Sequence, residues 1–335
     1  MKTVCVYHSR DLDGWMSAAI VKYFYNTKKK ALERTRTLNG GLDFIGWDYG
    51  DEIPDLSDYD KVIMVDISFP KEEMKALSKY KKDFIWIDHH ISAINENNYI
   101  SGRWANGDAE DVNINRDKAN TYVGGIRDDK YASCELTWKY FFPDEDIPEI
   151  IRLLGRYDCF GHKSTDEEQK VLEFQYGARA VIGGREAAYS WLISSLNFKE
   201  DIDNILDIGK SIYQYLCTEA KQAYAKAFPI EFKIENGNVV YGITPTGNTR
   251  FEGVSNYNFL CVNQDRFNPM NFGIDYHKDG YDGFTCFWYK DGKWSFSLYN
   301  DNGEVDCSTI AKQYGGGGHK GAAGFVTDNL NKIIK

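Results

Sequence analysis

The sequence predicts an α/β protein: a parallel-sheet domain with helices on both faces, a helical connector, and a smaller α+β domain with a mixed sheet. Three observations support this prediction. Strand-like and helix-like segments alternate through the first part of the chain, which is typical of a parallel sheet. A long helical pattern with charge on one face follows. After Pro229 the chain consists of short strand-like segments broken by Asn-Gly, Asp-Gly and Asn-Pro turns.

The first domain is predicted to begin with a strand that ends at His8, because residues 3–7 are β-branched and aromatic. Residues 61–65 are apolar enough for a buried strand, and this strand ends at Asp66. The other elements expected here are a helix at 15–25, a strand at 43–47, a helix at 71–80 opened by Pro70, and a strand at 83–87. This order predicts strands that run parallel with helices between them.

The remainder of the chain changes from helical to strand-like patterns. The predicted helices lie at 133–142, 147–154, 167–196 with a break at Gly183-Gly184, and 201–228, and a short helix begins at Ser308. The predicted strands lie at 231–234, 239–243, 272–276, 284–289 and 294–299. These patterns predict three parts: a catalytic domain at 1–198, a connector at 199–228, and a substrate-binding domain at 229–335.

Length, charge and cysteine usage narrow the function classes. With 335 residues the chain is long for one core, so two domains are expected. A net charge of −10 is poorly suited to gripping long duplex DNA, because that grip needs many Lys and Arg contacts to phosphate. No apolar run is long enough to span a membrane. The seven cysteines are scattered and the first residues show no signal-peptide pattern, which predicts a cytoplasmic protein.

Histidine and aspartate residues follow three of the predicted strands. His8 ends the first strand, Asp66 follows the second, and Asp88-His89-His90 follows the third. Ligands of open α/β sheets bind outside the carboxyl ends of the strands, so we expect these side chains at one edge. Carboxylates repel one another, and a fold that gathers them usually does so around a cation. The mixture of Asp oxygen and His nitrogen favours a divalent transition metal such as Mn²⁺.

Several of these residues also have simpler explanations, which the sequence leaves open. Asp11 and Asp13 are two residues apart, so in an extended loop they would point the same way and could hold one ion each. Asp13 could instead cap the helix that begins at Trp15. Asp66 and Asp158 could be ordinary turn and loop residues, although Asp66 is placed to bridge two metals if they are present.

The Asp88-His89-His90 segment is predicted to divide its roles by side-chain direction. Neighbouring side chains in an extended segment point to opposite sides, so His89 and His90 are not expected on the same ion. One histidine would bind metal and the other would face the substrate. Asp88 would contact the ligand histidine and not the metal, and would set the direction of its ring.

A glycine run lies near the end of the chain, at 315–318. It could be a flexible linker or a phosphate-binding loop. A glycine run that opens a helix can present backbone N–H groups to phosphate, and His319 and Lys320 would add side-chain donors.

Taken together, these segments resemble the DHH phosphoesterase superfamily, which is named for its Asp-His-His motif. The matching residues are His8-x-x-Asp11-x-Asp13-Gly14, Asp66, Asp88-His89-His90 and Asp158. The end of the chain resembles the DHH-associated domain of the branch that includes oligoribonucleases and nucleotide phosphatases. The match there runs through Val305-Asp306-Cys307-Ser308 and Gly315-Gly316-Gly317-Gly318-His319-x-x-Ala322-Ala323-Gly324. Each motif alone is weak or moderate, but their ordered occurrence over nearly the whole chain is specific.

The resemblance implies two Mn²⁺ ions, with Mg²⁺ or Co²⁺ as substitutes, and metal-activated hydroxide attack on phosphorus. One ion would bind His8, Asp11 and Asp66, and the other would bind Asp13, Asp66, His89 and Asp158. His90 would face the substrate phosphate. The nucleotide would be held by Gly316, Gly317, Gly318, His319 and Lys320. The implied substrates are short oligonucleotides, linear dinucleotides or nucleotide monophosphate esters, and a homodimer is left open.

Two positions depart from the common family pattern. The segment His8-Ser9-Arg10-Asp11 is one residue shorter than in many members, and Tyr299 stands where many carry an Arg that contacts phosphate. The alternative functions are a single-strand exonuclease of RecJ type, a non-catalytic nucleotide sensor, and a partner-binding role for the last domain. The acidic charge disfavours the exonuclease, and the presence of every expected ligand disfavours the sensor.

Overall fold

The structure is a computed structural model that describes residues 2–32, 41–80, 83–98, 100–103, 121–235, 238–240, 254–265, 267–318 and 320–334. The chain forms two compact units, Met1–Ile212 and Tyr213–Lys335. The boundary between them falls inside one long helix, within the predicted connector at 199–228. Among the described residues, no helix combines the length and the apolar character needed to cross a membrane.

The described residues of the first unit form a parallel sheet, as predicted, and it has six strands. Its strands are β1 (Thr3–His8), β2 (Leu42–Trp47), β3 (Lys61–Val65), β4 (Asp83–Ile87), β5 (Ile100–Arg103) and β6 (Thr121–Ile126). Of these, β5 and β6 were not predicted. Their order across the sheet is β2-β1-β3-β4-β6-β5. The strands β1, β3 and β4 are therefore neighbours, and their carboxyl ends meet at one edge.

Helices cover both faces of this sheet: α1 (Leu12–Leu32) and α4 (Ser133–Phe141) pack on one face, and α2 (Lys71–Tyr80) and α3 (Ile91–Glu96) pack on the other. A separate cluster with α1 and α4 is formed by α5 (Glu149–Asp158), α6 (Glu168–Val181), α7 (Arg185–Asn197) and the first part of α8 (Glu200–Tyr224). Side chains alternate along β1 because successive residues of a strand point to opposite faces. Val4 and Val6 pack with Met74 of α2, whereas Cys5 packs with Ala18 of α1. Both faces are buried, which explains why the strands are apolar runs rather than alternating ones.

The second unit contains a seven-stranded mixed sheet, which confirms the predicted class of this part of the chain. Its strands are β7 (Phe228–Glu235), β8 (Asn238–Val240), β9 (Val254–Asn263), β10 (Gly283–Lys290), β11 (Lys293–Tyr299), β12 (Gly317–Gly318) and β13 (Ala322–Thr327), in the order β12-β13-β11-β10-β9-β7-β8. The pair β9 and β10 is parallel, and the pairs on either side of it are antiparallel. Helix α9 (Cys307–Gln313) packs on one face through Ile310, and Ala220 and Ala223 of α8 pack on the other.

Several elements of this part of the chain differ from the sequence prediction. The strands β12 and β13 were not predicted, and the helix predicted at 201–228 ends at Tyr224. The strand predicted at 272–276 is wrong, because Pro269–Phe272 forms a 3₁₀ turn that ends at Gly273 with a φ of 72°. Tyr276 is then buried as a core side chain rather than as part of a strand. The prediction also missed β9, whose asparagines at 256 and 258 are more typical of turns. Part of the predicted strand at 239–243 lies outside the described residues.

Candidate metal centre

The carboxyl ends of the three neighbouring strands carry the predicted ligands. His8 is the last residue of β1, Asp66 directly follows β3, and Asp88 directly follows β4. The backbone of Asp66 has a φ of 60°, a left-handed conformation that Asp tolerates better than most residues. Its N–H donates to the carbonyl oxygen of Ile87 at 3.0 Å, which ties it to the end of the next strand. The sheet therefore places the Asp66 side chain between the ends of β1 and β4.

Asp66 lies at the centre of the site and is only 1% exposed. Its Oδ2 is 3.5 Å from Nδ1 of His8, and its Oδ1 is 3.5 Å from Nε2 of His89. Within the described part of the chain, neither oxygen has a hydrogen-bond partner. A buried carboxylate without donors is costly, so Asp66 must be stabilised by cations beside its oxygens or by a proton.

The first group of ligand atoms comes from His8, Asp11 and Asp66. Nδ1 of His8 is 2.7 Å from Oδ2 of Asp11. The other oxygen of Asp11 accepts the N–H of Gly14 at 2.9 Å, so Asp11 rather than Asp13 caps α1. Gly14 lies inside this helix, and a Cβ there would meet the carbonyl oxygen of His8 at 2.1 Å. Glycine is needed here because the helix passes against the end of the strand.

The second group comes from Asp13, His89 and Asp158. Nε2 of His89 is 3.2 Å from Oδ2 of Asp158 and 3.7 Å from Oδ2 of Asp13. The oxygens of Asp13 accept the backbone N–H groups of Ser133 and Cys134 at 2.9 and 2.7 Å. The start of α4 thus orients Asp13, because the first N–H groups of a helix have no partner within it.

Two of these ligands occupy different backbone settings from those predicted. Asp13 lies in the first turn of α1, so it does not share an extended loop with Asp11. The two side chains nevertheless belong to separate groups, as expected for one ion each. Asp158 is the last residue of α5 rather than a loop residue. Asp158 is far from the other motifs in sequence, and the packing of α5 brings it to the site.

Asp88 organises the two histidines that follow it. It is fully buried, and its Oδ1 accepts the N–H groups of His89 and His90 at 2.8 and 3.1 Å. The same oxygen lies 2.8 Å from Nδ1 of His90, which fixes the direction of that ring. His90 is 28% exposed, whereas His89 is 11% exposed and directed at the carboxylates. The two rings therefore differ in exposure and in partner.

The electrostatics of the site are those of crowded carboxylates. Burial raises the pKa of Asp66 well above its ordinary value, and the charges of Asp13, Asp11 and Asp158 raise it further. Burial and the charge of Asp158 also raise the pKa of Asp13 to about 6. Burial alone would lower the pKa of His89, but the hydrogen bond to Asp158 and the nearby carboxylate charges raise it to about 9. Without a cation, protons must take the place of positive charge.

The donor set fits divalent metal ions. Four carboxylates and the imidazoles of His8 and His89 converge, and the three groups of potential ligands found among the described residues all lie at this edge. The third group is Asp66, His89 and His90, so Asp66 belongs to two of the groups. This grouping brings both histidines of the motif together, contrary to the expectation that they face opposite sides. Ions bound there would be held by His8, Asp11 and Asp66 on one side and by Asp13, Asp66, His89 and Asp158 on the other.

The predicted glycine site lies in the second unit and has a different backbone from the one expected. The run follows α9 instead of opening a helix, and Gly317–Gly318 form the edge strand β12. A Cβ at Gly316 would meet the carbonyl oxygen of Gly324 at 2.0 Å, so close packing against β13 requires glycine there. The N-terminus of α9 is capped by Asp306, which accepts the N–H groups of Ser308 and Thr309. Lys320 is exposed, and His319 lies outside the described residues.

Sequence reasoning missed Asp48, which directly follows β2. Its Oδ1 is 3.4 Å from Nε2 of His8, on the opposite side of the ring from Asp11. The available signal was the predicted strand at 43–47, which pairs in parallel with β1 and ends at the same edge of the sheet. Nothing in the local pattern of Trp47-Asp48-Tyr49 indicates a role in a site.

The comparison with protein families agrees with this geometry. The sequence model of the DHH family, N-terminal domain, matches residues 3–152, a range that includes each of these metal-site residues apart from Asp158. Residues 3–152 are therefore similar to the DHH family, N-terminal domain, and in them the Asp-His-His motif is the segment in which Asp88 orients the two histidines.

Other similar proteins are distant in sequence. Uncharacterized protein R106 of Acanthamoeba polyphaga mimivirus is 22% identical over 347 residues, which cover 99% of this chain and 69% of that protein. The pGpG-specific phosphodiesterase PggH from Vibrio cholerae has a TM-score of 0.43 at 10% identity, covering 97% of this chain and 93% of that chain. An exopolyphosphatase-related protein from Bacteroides fragilis has a TM-score of 0.46 at 13% identity, covering 98% and 87%. Such distant likeness assigns no activity to this chain.

Proposed function

We propose that this protein is a two-metal, manganese-dependent phosphoesterase that hydrolyses short oligonucleotides, linear dinucleotides or nucleotide monophosphate esters. The observation that carries the proposal is the position of Asp66. Its two buried oxygens face two separate groups of ligands, one containing His8 and the other containing His89. A buried carboxylate that lacks hydrogen-bond donors destabilises the fold, so structural stability alone does not explain its presence.

The DHH family supplies the reaction class, and the residues supply the roles. Bound ions would polarise a phosphoryl oxygen and lower the pKa of a water molecule between them. Asp13 and Asp11 are oriented by helix N–H groups, which fixes the direction of their free lone pairs. His90 is held by Asp88 through Nδ1, so its Nε2 is the ring nitrogen proposed to donate a proton or a hydrogen bond to a phosphate oxygen.

The substrate class remains part of the proposal. The resemblance to the oligoribonuclease and nucleotide phosphatase branch favours short nucleotides, and a net charge of −10 disfavours a long polyanion. Gly316, Gly317, Gly318, His319 and Lys320 are proposed to bind the nucleotide. Among the strands that the structure describes, β12 lies at the edge of its sheet, so its outer side can offer backbone N–H groups to a ligand.

A substrate panel tests the proposal. Protein loaded with Mn²⁺ is assayed against pyrophosphate, bis-p-nitrophenyl phosphate, a 3′-phosphorylated adenosine nucleotide, linear dinucleotides, short oligonucleotides and long single strands. We expect turnover of short nucleotides that disappears in Asp66→Asn. The matched control is Asp58→Asn, an exposed carboxylate before the opposite end of β3.

Other patterns of turnover would overturn the proposal. Turnover restricted to pyrophosphate or to long strands would show that the proposed substrate class, short nucleotides, is wrong. Stoichiometric binding of metal with no turnover of any compound would indicate that the protein is a binding protein and not an enzyme.

A further inference from the structure

We propose that Asp48 is a positioning residue for the metal ligand His8, and that Arg10 holds Asp48 in place. The inference rests on the proposed metal-dependent function, because it concerns how one ligand of that site is oriented. Nothing in the Asp-His-His pattern or in the ordered motifs of the sequence includes Asp48 or Arg10.

The ring of His8 lies between two sets of carboxylates. Nδ1 faces Asp11 at 2.7 Å and Asp66 at 3.5 Å, on the side where the ligand groups converge. Nε2 faces Oδ1 of Asp48 at 3.4 Å, on the other side of the ring. An imidazole binds metal through one nitrogen, and a carboxylate that accepts the N–H of the other nitrogen fixes the tautomer and the ring direction. Asp48 has the position and the charge for this role.

The backbone places Asp48 there. His8 pairs with Trp47 in the parallel register of β1 and β2, so the residue after Trp47 lies beside the end of β1. The N–H of Ser9 donates to the carbonyl oxygen of Trp47 at 3.1 Å and joins the two strand ends. The position of Asp48 next to the imidazole is therefore set by the sheet.

The carboxylate of Asp48 is also restrained. Its Oδ2 accepts a hydrogen bond from Nε of Arg10 at 2.9 Å, and its Oδ1 accepts the N–H of Tyr49 at 2.8 Å. The N–H of Asp48 donates to Asp51 at 3.1 Å. These contacts hold the side chain in one rotamer with Oδ1 directed at the histidine.

A purely structural role explains this arrangement less well. Arg10 is 67% exposed and Asp48 is 26% exposed, and an ion pair of this kind contributes little to folding. Asp48 contacts the nitrogen of His8 that faces away from Asp66, so it is placed to act on the site through the His8 ring.

Titration with Mn²⁺ alone, followed by calorimetry, tests the inference on metal affinity without any assay of turnover. In Asp48→Ala we expect one of two binding sites to weaken about 10- to 100-fold, the cost typical of removing the outer partner of a metal-bound histidine. The site formed by Asp13, His89 and Asp158 should keep its affinity. Asp48→Asn should restore most of the loss because its amide oxygen can still accept the ring N–H. Arg10→Gln should have a smaller effect in the same direction.

The control is Glu52→Gln, an exposed carboxylate on the loop that follows β2, which should leave both affinities unchanged. Thermal unfolding of the metal-free variants reports whether each one folds. Equal affinities in Asp48→Ala and wild type would overturn the inference, as would equal weakening of both sites together with a lower unfolding temperature. If either of these outcomes is found while the wild-type protein binds two ions and turns over substrate, only this inference fails. If wild-type protein binds no Mn²⁺, the proposed function fails with it.

Discussion

Backbone groups are used in different ways at two edges: the candidate metal edge, where β1, β3 and β4 of the first sheet end, and the glycine edge, formed by β12 of the second sheet. At the metal edge, backbone N–H groups are donated to Asp11, Asp13 and Asp88, while both oxygens of Asp66 are left without donors. At the glycine edge, the nearest helix is capped by its own Asp306, and Gly316 is required by the approach of β13. Packing accounts for the glycine at 316, whereas no packing argument accounts for the carboxylates. The oxygens of Asp66 therefore call for a bound cation or a proton, whereas the close approach at Gly316 is explained by strand packing whether or not the run also binds a ligand.

The largest effect expected is from Asp66→Ala, which removes the carboxylate shared by the group of His8 and Asp11 and the group of His89 and His90. We expect metal content near zero and activity below about a tenth of wild type, a loss of at least about 1.4 kcal/mol in transition-state stabilisation. Elemental analysis of the purified protein and hydrolysis of bis-p-nitrophenyl phosphate measure the two quantities. Activity above a tenth of wild type would contradict a bridging role for this residue.

The two histidines of the motif should separate metal binding from turnover. His90→Ala is expected to keep both ions and to lower the turnover number about 10²- to 10⁴-fold, the usual range for a group that transfers a proton. His89→Ala should lose metal, because its Nε2 lies among three carboxylates. Metal titration and steady-state kinetics on both variants check this. Loss of metal in His90→Ala instead would show that the roles are exchanged.

Metal affinity should rise with pH. The pKa of His89 is about 9 in the metal-free protein, so an ion must displace its proton throughout the neutral range. One displaced proton corresponds to about a tenfold gain in affinity per pH unit, hence about 100-fold between pH 6 and pH 8. Isothermal titration in buffers of different ionisation enthalpy measures the proton release. An affinity that is flat across this range would contradict the elevated pKa.

The same groups set the sign of the pH dependence of folding. The pKa of His89 is raised from 6.5 to about 9, so its contribution to stability is complete below pH 6.5 and is lost as the pH rises through 9. The raised pKa of Asp13 acts in the same direction between 3.8 and about 6. These groups should make the metal-free protein less stable as the pH rises, and bound metal should remove that trend. Thermal unfolding at pH 6 and pH 8 measures the trend in the metal-free protein when a chelator is present, and the effect of bound metal when it is absent.

A glycine substitution in the second unit should affect stability and leave the metal site intact. Gly316→Ala forces a Cβ to within 2.0 Å of a backbone oxygen, and we expect a loss of about 1–3 kcal/mol in the free energy of unfolding. Gly317→Ala is the matched control, because a Cβ at that position meets no atom within 4 Å. Denaturant unfolding and Mn²⁺ titration compare them. Reduced metal binding in folded Gly316→Ala would break the contrast between the two edges.

The smallest effect expected is from the side chains beside the glycines. His319→Ala and Lys320→Ala should each raise KM for a dinucleotide by about a few-fold, and by less for bis-p-nitrophenyl phosphate, because they are proposed to bind the nucleotide. Lys293→Ala, an exposed lysine of β11, is the control. Equal changes for both substrates would remove the nucleotide-binding assignment.

The parts of the site that were predictable are those that follow strands. His8, Asp66 and Asp88 directly end or follow apolar runs, and the carboxyl ends of neighbouring parallel strands meet at one edge. The local settings of Asp13 and Asp158 were not predictable, because both lie in helices whose positions depend on packing. Asp48 was missed for a related reason: its role depends on the parallel pairing of β2 with β1, which no local pattern shows.

By itself, the amino-acid sequence determined the class of the two sheets, the set of residues able to bind metal, and the strand ends that carry three of them. Those features arise from side-chain chemistry and from hydrophobic patterns that act over a few residues. Only the tertiary structure decided which oxygen of Asp66 faces which histidine, that the start of α4 holds Asp13, and that the glycine run forms an edge strand. These outcomes depend on the burial of charge and on close backbone packing between segments far apart in the chain, and such interactions exist only after the elements have assembled.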